Sequence, residues 1–230
     1  MSVDSIAKVL EAITHLLGVT LWPAIFVFIL VRFRTGIANF ISTLGEFSFK
    51  AAGVEATAKV KAEAAASLAA ATASRPEAAA SPEKTLQEAR NAAQIVVDAI
   101  TPNVIRRAER STVLWVDDRP DNNLHERSAL EAIGISFVLS TSTEDALDQI
   151  RRQSFDLIIS DMGRPPDPRA GYTLLDKLRA TGNRTPFIIY AGSRSPEHQD
   201  EAKRHGALGC TNRPNELFEM VLSALGRGPR

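Results

Sequence analysis

The sequence of 230 residues has a single cysteine, Cys210, and no excess of charge of either sign. One cysteine cannot form a disulfide within the chain or supply a metal site made of several cysteines. The 27 Lys and Arg residues balance the 27 Asp and Glu residues, which argues against a surface that binds nucleic acid in general. The folded part of the chain therefore suits a reducing compartment, and nucleic acid is not an expected partner.

Charged side chains are also missing from one long stretch near the N-terminus. The 20 residues 12–31 contain no Asp, Glu, Lys or Arg and would be apolar on all faces of a helix. Such a helix would cover about 30 Å, the thickness of the hydrocarbon core of a bilayer. We interpret the segment as an uncleaved transmembrane helix rather than a buried helix or a signal peptide, because the flank before it is not basic and Arg32 and Arg34 follow it directly.

The basic residues around this stretch predict its orientation. Arg32 and Arg34 lie just after it, whereas the flank before it offers only Lys8. The positive-inside rule then places the N-terminus outside and the rest of the chain in the cytoplasm. Residues 1–34 are thus expected to be the flank and single membrane span of a protein of the cytoplasmic (inner) membrane.

Residues 35–110 are expected to be a juxtamembrane region and an alanine-rich helical spacer. Between residues 51 and 80, 15 of 30 residues are alanine, which predicts a helix over 56–73 that buries too little area to form a core alone. A second helix is predicted from about 82 to 100. Its apolar stripe would either dimerise or rest on the following domain: Leu86, Ala89, Ala93, Val96, Val97 and Ile100.

Residues 111–230 alternate short apolar segments with amphipathic ones. Five units of this kind predict an α/β domain with a five-stranded parallel sheet covered on both faces. The strands are expected at 113–116, 135–139, 155–160, 186–190 and 207–211, and the helices at about 124–133, 144–152, 172–180, 197–205 and 216–225.

Acidic residues follow the first and third predicted strands. Asp117 and Asp118 end the first, and Asp161 ends the third. In a parallel sheet of flavodoxin-like order these strands are neighbours, and sites form at their carboxyl ends. Carboxylates this close repel one another unless a cation joins them. A hard divalent cation with oxygen ligands, most simply Mg²⁺, is therefore predicted there.

Several motifs resemble those of response-regulator receiver domains, in the right order over residues 111–226. They are VLWVDD at 113–118, FDLIISD at 155–161, Gly171 before a leucine pair, the strand at 186–190, and GALGCTNRP at 206–214. The resemblance implies a flavodoxin-like (βα)5 fold. It also implies that Asp117 and Asp118 hold Mg²⁺ together with Asp161. Asp161 would be the phosphoacceptor, which attacks the phosphohistidine of a histidine kinase.

Other positions depart from the family pattern. Ala191 stands where a hydroxyl residue is expected, and Arg213 stands where a lysine is expected. In the family these two residues hold the phosphoryl group. Arg213 keeps the positive charge, and Ser193 could supply a hydroxyl if the loop bends. Cys210 replaces the aromatic residue of strand five and is expected to be a small buried residue rather than a reactive thiol.

The loop at 162–170 is about two residues longer than the family's usual loop and contains three prolines. Its two arginines, Arg164 and Arg169, could reach the acidic residues. We expect them to be solvated instead.

Three functions are compatible with the sequence. The first is a membrane-anchored, atypical receiver-like interaction module that binds Mg²⁺, is not an enzyme, acts through a protein partner or a homo-oligomer, and signals little through phosphorylation. The second is a receiver that accepts a phosphoryl group on Asp161. The third is a membrane effector whose cytoplasmic domain clusters the transmembrane helices. No output domain is expected after the last predicted helix, because the sequence ends at Arg230.

Overall fold

The computed structural model of the chain describes residues 52–75, 82–191 and 196–226. The predicted transmembrane helix at 12–31, its orientation and the candidate Ser193 lie outside these ranges. Within them, no helix is both long and apolar enough to cross a membrane.

The described residues form a parallel sheet of five strands with the order β2-β1-β3-β4-β5. This confirms the predicted flavodoxin-like fold, with β1 and β3 side by side at its centre. The strands are β1 (Thr112–Val116), β2 (Ser136–Ser140), β3 (Leu157–Ser160), β4 (Phe187–Tyr190) and β5 (Gly209–Thr211).

Helices follow each strand, and three more precede the sheet. The three that precede it are α1 (Ala52–Ala73), α2 (Pro82–Ala99) and α3 (Pro102–Ala108). Those that alternate with the strands are α4 (Leu124–Ala132), α5 (Thr143–Arg152), α6 (Ala170–Ala180), α7 (Pro196–Arg204) and α8 (Pro214–Gly226). A short 3-10 turn, Pro120–Asn123, leads from β1 into α4.

The sheet is buried on both faces, as parallel sheets are. Successive side chains of β1 point to opposite faces, so Val113 and Trp115 enter one apolar cluster while Leu114 and Val116 enter the other. All four are at most 1 % exposed. This two-sided burial explains why the strands read as continuous apolar runs in the sequence.

The alanine-rich helix α1 is part of the core rather than an isolated spacer. Ala64, Ala65 and Leu68 of α1 belong to the same buried cluster as Val113 and Trp115 of the sheet. Alanine side chains allow close approach of neighbouring backbones, and α1 packs on both α2 and α4. The helix thus buries its face against elements that follow it by many residues.

The apolar stripe of α2 also rests on the α/β domain, which resolves the choice that the sequence left open. Ala92, Val96 and Ile100 are at most 1 % exposed and lie in the shared cluster. Leu86, expected in this stripe, is instead 51 % exposed. The ammonium group of Lys61 donates to the carbonyl of Val97 at 2.8 Å and ties α1 to α2.

Candidate functional site

The predicted acidic residues meet at the carboxyl edge of the sheet because of the register between β1 and β3. Val116 pairs with Ser160, the last residue of each strand. Asp117 directly follows β1 and Asp161 directly follows β3, so both residues leave the sheet at the same level. The backbone N–H of Asp161 still donates to the carbonyl of Val116 at 2.9 Å, which fixes the start of the loop after β3.

A cavity of about 650 Å³ opens at this edge. Asp117, Asp118 and Asp161 all line it, so the structure brings together the three acids expected from the sequence. Ala191 lines it too, whereas Arg213 does not. The remaining lining residues are Ala71, Ser74, Arg75, Arg119, Asn122, Asn123, Glu126, Gly163, Pro165, Tyr190 and Asn212.

Asp117 is the most firmly held of the three acids. Its side chain is buried. One carboxylate oxygen accepts from the backbone N–H of Arg119 at 2.7 Å, and the other accepts from the side-chain amide of Asn123 at 2.5 Å. The 3-10 turn that begins at Pro120 brings Asn123 back toward the strand end. Asp118 is more open, with its carboxylate 3.9 Å from the Nε of Arg119.

Burial shifts the ionisation of Asp161. The pKa of its carboxyl is raised, mainly by loss of solvent and further by the nearby charge of Asp117. The backbone N–H groups of Met162 and Gly163 and the guanidinium of Arg164 oppose this rise. The N–H of Gly163 donates to Oδ2 of Asp161 at 3.2 Å. A cation in the cavity would favour the ionised form.

Gly171, in the first turn of α6, allows the loop after β3 to pass close to the helix. A Cβ at this position would lie 2.9 Å from the carbonyl oxygen of Asp161 and 3.2 Å from the Cα of Met162. The backbone N–H of Gly171 donates to the carbonyl of Met162 at 2.9 Å. Glycine therefore sets the position of Asp161 through the backbone.

Arg164 is buried, so the expectation that it is solvated was wrong. Its side chain is only 3 % exposed. The backbone groups of Arg164 and Asp167 pair in both directions, at 3.0 and 2.8 Å, and this turn folds the proline-rich loop back over the sheet edge. The guanidinium then reaches the hydroxyl of Ser160 at 2.8 Å, the carbonyl of Asp161 at 2.7 Å and the hydroxyl of Thr143 at 3.1 Å.

The other arginine of the loop lies on the surface, as expected, but it has specific partners. Arg169 forms an ion pair with Glu201, and its guanidinium lies 5.1 Å from the ring centre of Tyr172. Neither partner lines the acidic cavity. Arg169 therefore links α6 to α7 rather than serving the site.

Two departures from the family pattern have clear positions. Arg213 lies 3.9 Å from Oε1 of Glu216, one turn along the chain. The hydroxyl of Thr211 donates to the other oxygen of Glu216 at 2.5 Å. Cys210 is buried as expected, and burial raises the pKa of its thiol to about 11, so the thiolate needed for reactivity is disfavoured.

Glu126 and Tyr190, which no motif in the sequence indicated, also line the cavity. The phenol of Tyr190 donates to Oε1 of Glu126 at 2.9 Å, and Glu126 is 7 % exposed. Burial, together with the charge of Glu126, raises the pKa of Tyr190 above its ordinary value. The aspartates were identified as acidic residues that directly follow a strand. Glu126 lies within α4 and Tyr190 is not acidic, so that pattern could not identify this pair.

The carboxylate oxygens of the cavity are ligands that suit a hard cation. Among the described residues, no three His, Cys, Asp or Glu side chains are arranged to hold a metal ion. Mg²⁺ commonly keeps several water ligands and uses only one or two carboxylates together with phosphate oxygens. Asp117, fixed by two hydrogen bonds, and the adjacent Asp118 fit that requirement.

We expect Asp161→Asn to increase the free energy of unfolding at neutral pH. Because the pKa of Asp161 is raised in the folded protein, its neutral form stabilises the fold relative to the ionised form. That contribution is complete below the pKa of the unfolded chain and is lost as pH rises through the folded pKa. The advantage of the variant should thus be largest at neutral pH and vanish in acid, as measured by urea unfolding across pH.

Asp167→Asn provides a control of opposite sign in the same loop. The pKa of Asp167 is lowered, first by the hydroxyl of Thr173, which donates at 2.6 Å, and then by the N–H of Arg169 at 2.8 Å. Its ionised form therefore stabilises the fold at neutral pH, and this stabilisation is lost as pH falls through the folded pKa. The two variants should shift stability in opposite directions at neutral pH, and shifts of the same sign would contradict the assignment.

The comparison with known families concerns the part of the chain that contains the sheet and the acidic cavity. Residues 113–223 match the family described as the response regulator receiver domain. The chain contains a receiver domain of the type used in two-component signalling. Receiver domains of this family are phosphorylated by histidine kinases, interact with them and with other proteins, and generally bind Mg²⁺ at an acidic site.

Two curated relatives illustrate the similarity. The chain is 31 % identical over 122 residues to a gliding motility regulatory protein of Myxococcus xanthus, with 52 % of this chain and 15 % of that protein covered. It is 33 % identical over 132 residues to the virulence sensor protein BvgS of Bordetella pertussis, with 55 % and 10 % covered. The match therefore spans only a small part of each relative's length.

Solved receiver structures match about half of the chain. The receiver domain of the Francisella response regulator 1452 has 27 % identity and a TM-score of 0.47, with 51 % of this chain and 98 % of that chain covered. The chemotaxis response regulator CheY4 of Vibrio cholerae has 25 % identity and a TM-score of 0.44, with 50 % and 98 % covered.

Proposed function

We propose that the chain is a signalling receiver that takes a phosphoryl group onto Asp161 from a histidine kinase. The observation that carries this proposal is the convergence of Asp117, Asp118 and Asp161 on one cavity at the carboxyl ends of β1 and β3. Mg²⁺, held by these carboxylates, would neutralise the phosphoryl oxygens. The protein itself is a substrate of the kinase rather than an enzyme.

The residues of the chain prepare Asp161 for in-line attack. A carboxylate oxygen of Asp161 attacks phosphorus while the bond from phosphorus to the histidine nitrogen breaks, and the imidazole leaves. The N–H of Gly163 donates to one carboxylate oxygen of Asp161 and orients it. The guanidinium of Arg164 donates to the backbone carbonyl of Asp161. Asp161 must be ionised to act, so the charge balance of the cavity controls its reactivity.

A second candidate is an interaction module that does not depend on phosphorylation. Two observations favour it: Ala191 at the cavity has no hydrogen-bonding side chain, and Arg213 lies with Glu216 outside the cavity. Under this alternative the acidic cavity binds a cation, and a protein partner or a second copy of the chain recognises the domain.

Labelling with a small phosphodonor separates the two candidates. We expect the full-length protein, incubated with Mg²⁺ and acetyl phosphate, to gain a single phosphoryl group of about 80 Da that is labile at alkaline pH, as acyl phosphates are. The gain should be absent in Asp161→Asn and without Mg²⁺. If the folded wild-type protein remains unmodified at saturating donor, the phosphoacceptor proposal fails and the interaction module becomes the better account.

We also propose that residues 12–31 anchor the protein in the inner membrane, with the N-terminus outside and the receiver domain in the cytoplasm. The support is the run of 20 residues without Asp, Glu, Lys or Arg, followed by Arg32 and Arg34. Deleting 12–31 should move the protein from carbonate-washed membranes to the soluble fraction. Recovery of the deletion variant in washed membranes would refute the anchor. Clustering of these helices as a membrane effector stays a prediction.

A further inference from the structure

The buried face of α1 leads directly to the acidic cavity. Ala64, Leu68 and Ala71 are at most 1 % exposed, and Arg75 follows the last residue of the helix, Ala73, by two positions. The spacing of Ala64, Leu68 and Ala71 places these three residues on one face of the helix. Ser74 and Arg75 line the cavity beside the three aspartates. The positive charge of Arg75 also opposes the rise in the pKa of Tyr190 that burial causes.

The position of Arg75 is set by contacts along the whole helix. Leu68 anchors α1 in the core of the domain, and Lys61 ties it to α2. At its C-terminal end, the backbone N–H of Ser74 donates to the carbonyl of Ala70 at 2.9 Å, and the hydroxyl of Ser74 donates to Ala71 at 3.2 Å. The helix therefore delivers Arg75 to the cavity from outside the receiver domain.

The cavity is strongly acidic, and its cations are few. Four carboxylates line it: those of Asp117, Asp118, Glu126 and Asp161. Among the described residues that line it, the cationic ones are Arg75 and Arg119. Arg119 is a surface residue, with its side chain 77 % exposed.

Among the residues that the structure describes, the two positions at which the family places a hydroxyl and a lysine do not bring these groups to the cavity. Ala191 offers no donor, and Arg213 lies with Glu216. Arg75 approaches from α1 with a planar guanidinium, which can bind two phosphoryl oxygens at once. A phosphoryl group in the cavity would bring additional negative charge next to this guanidinium.

We propose that Arg75 binds the phosphoryl group carried by Asp161 and thereby couples phosphorylation to the docking of α1 on the receiver domain. This inference rests on the proposed phosphoacceptor function. In this proposal, α1, which precedes the receiver domain, is the element that responds to phosphorylation of Asp161. Phosphorylation would then tighten the contact between α1 and the domain, and loss of the phosphoryl group would loosen it.

Beryllium fluoride with Mg²⁺, a non-covalent analogue of the aspartyl phosphate, tests the inference. Its affinity for the purified full-length protein is measured by titration calorimetry, and hydrogen exchange is followed in peptides covering α1. The variants are Arg75→Gln and Arg75→Lys. Lys59→Gln is the matched control, because Lys59 is an exposed cation of α1 that does not line the cavity.

We expect the ligand to slow exchange in α1 of the wild-type protein. Arg75→Gln should weaken binding about tenfold, the loss expected for a charged hydrogen bond, and abolish the added protection. Arg75→Lys should recover part of both effects, and Lys59→Gln should match the wild type. If Arg75→Gln bound the analogue with wild-type affinity and kept the added protection from exchange in α1, the role of Arg75 would be overturned, but the phosphoacceptor proposal would stand. Absence of binding to the wild type and to every variant would overturn the phosphoacceptor proposal as well.

Discussion

Leu68→Ala should lower the free energy of unfolding by about 2–5 kcal/mol, although Leu68 precedes the receiver domain. The side chain is 1 % exposed and lies in the buried cluster that contains Val113 and Trp115 of β1. Truncation removes apolar area from this cluster and leaves a cavity between α1 and the α/β domain. Urea unfolding of the full-length protein, followed by circular dichroism, measures the loss.

Leu86→Ala is the matched control for this prediction. Leu86 lies on α2, undergoes the same chemical change and is 51 % exposed, so its truncation should change stability by no more than about 0.5 kcal/mol. Equal effects of the two substitutions would show that α1 does not pack on the receiver domain. If urea unfolding showed a separate transition at lower urea concentration, and only Leu68→Ala abolished it, α1 and α2 would unfold independently of the receiver domain.

The second large effect is expected from Arg164→Met, with a loss of about 2–4 kcal/mol. Methionine keeps the bulk of the side chain but removes every hydrogen-bond donor. The hydroxyls of Ser160 and Thr143 and the carbonyl of Asp161 would each lose a charged donor in a buried setting. Because Arg164 also opposes the rise in the pKa of Asp161, the variant should label more slowly with acetyl phosphate at a given pH.

Arg169→Met serves as the comparison in the same loop. Arg169 makes an exposed ion pair with Glu201, and such pairs contribute about 0–1 kcal/mol. Its loss should leave the rate of phosphorylation unchanged, since neither residue lines the acidic cavity. If Arg164→Met and Arg169→Met lowered the free energy of unfolding equally, the buried hydrogen bonds of Arg164 would contribute no more to stability than the exposed ion pair of Arg169.

The sequence was sufficient to predict the sheet and its acidic edge. Buried parallel strands appear as continuous apolar runs, and the acids that follow the first and third runs must emerge on the same edge. Strand ends were less certain. The predicted strand at 155–160 begins at Leu157 in the structure, because Asp156 uses its carboxylate to accept from the N–H of Thr112 at 2.8 Å.

The positions of three arginines could not be predicted in the same way. Arg164 is buried because the backbone of its loop closes on Asp167, a contact that no periodicity records. Arg213 lies beside Glu216, and Arg75 reaches the cavity only because α1 docks on the domain. The positions of Arg164 and Arg75 depend on contacts between elements, and the partner of Arg213 depends on the local turn into α8. Sequence periodicity reports only which residues share a face of one element.

The docking of α1 also covers part of the surface that the receiver domain could offer to other proteins. Helices α4 and α8 cover one face of the sheet, and α1 lies against both of them. A partner that meets the protein in this arrangement finds that side already occupied by the chain itself. A partner that binds on that side must compete with Leu68 and its neighbours for the same groove, whereas the helices of the opposite face, α5, α6 and α7, are not covered by α1.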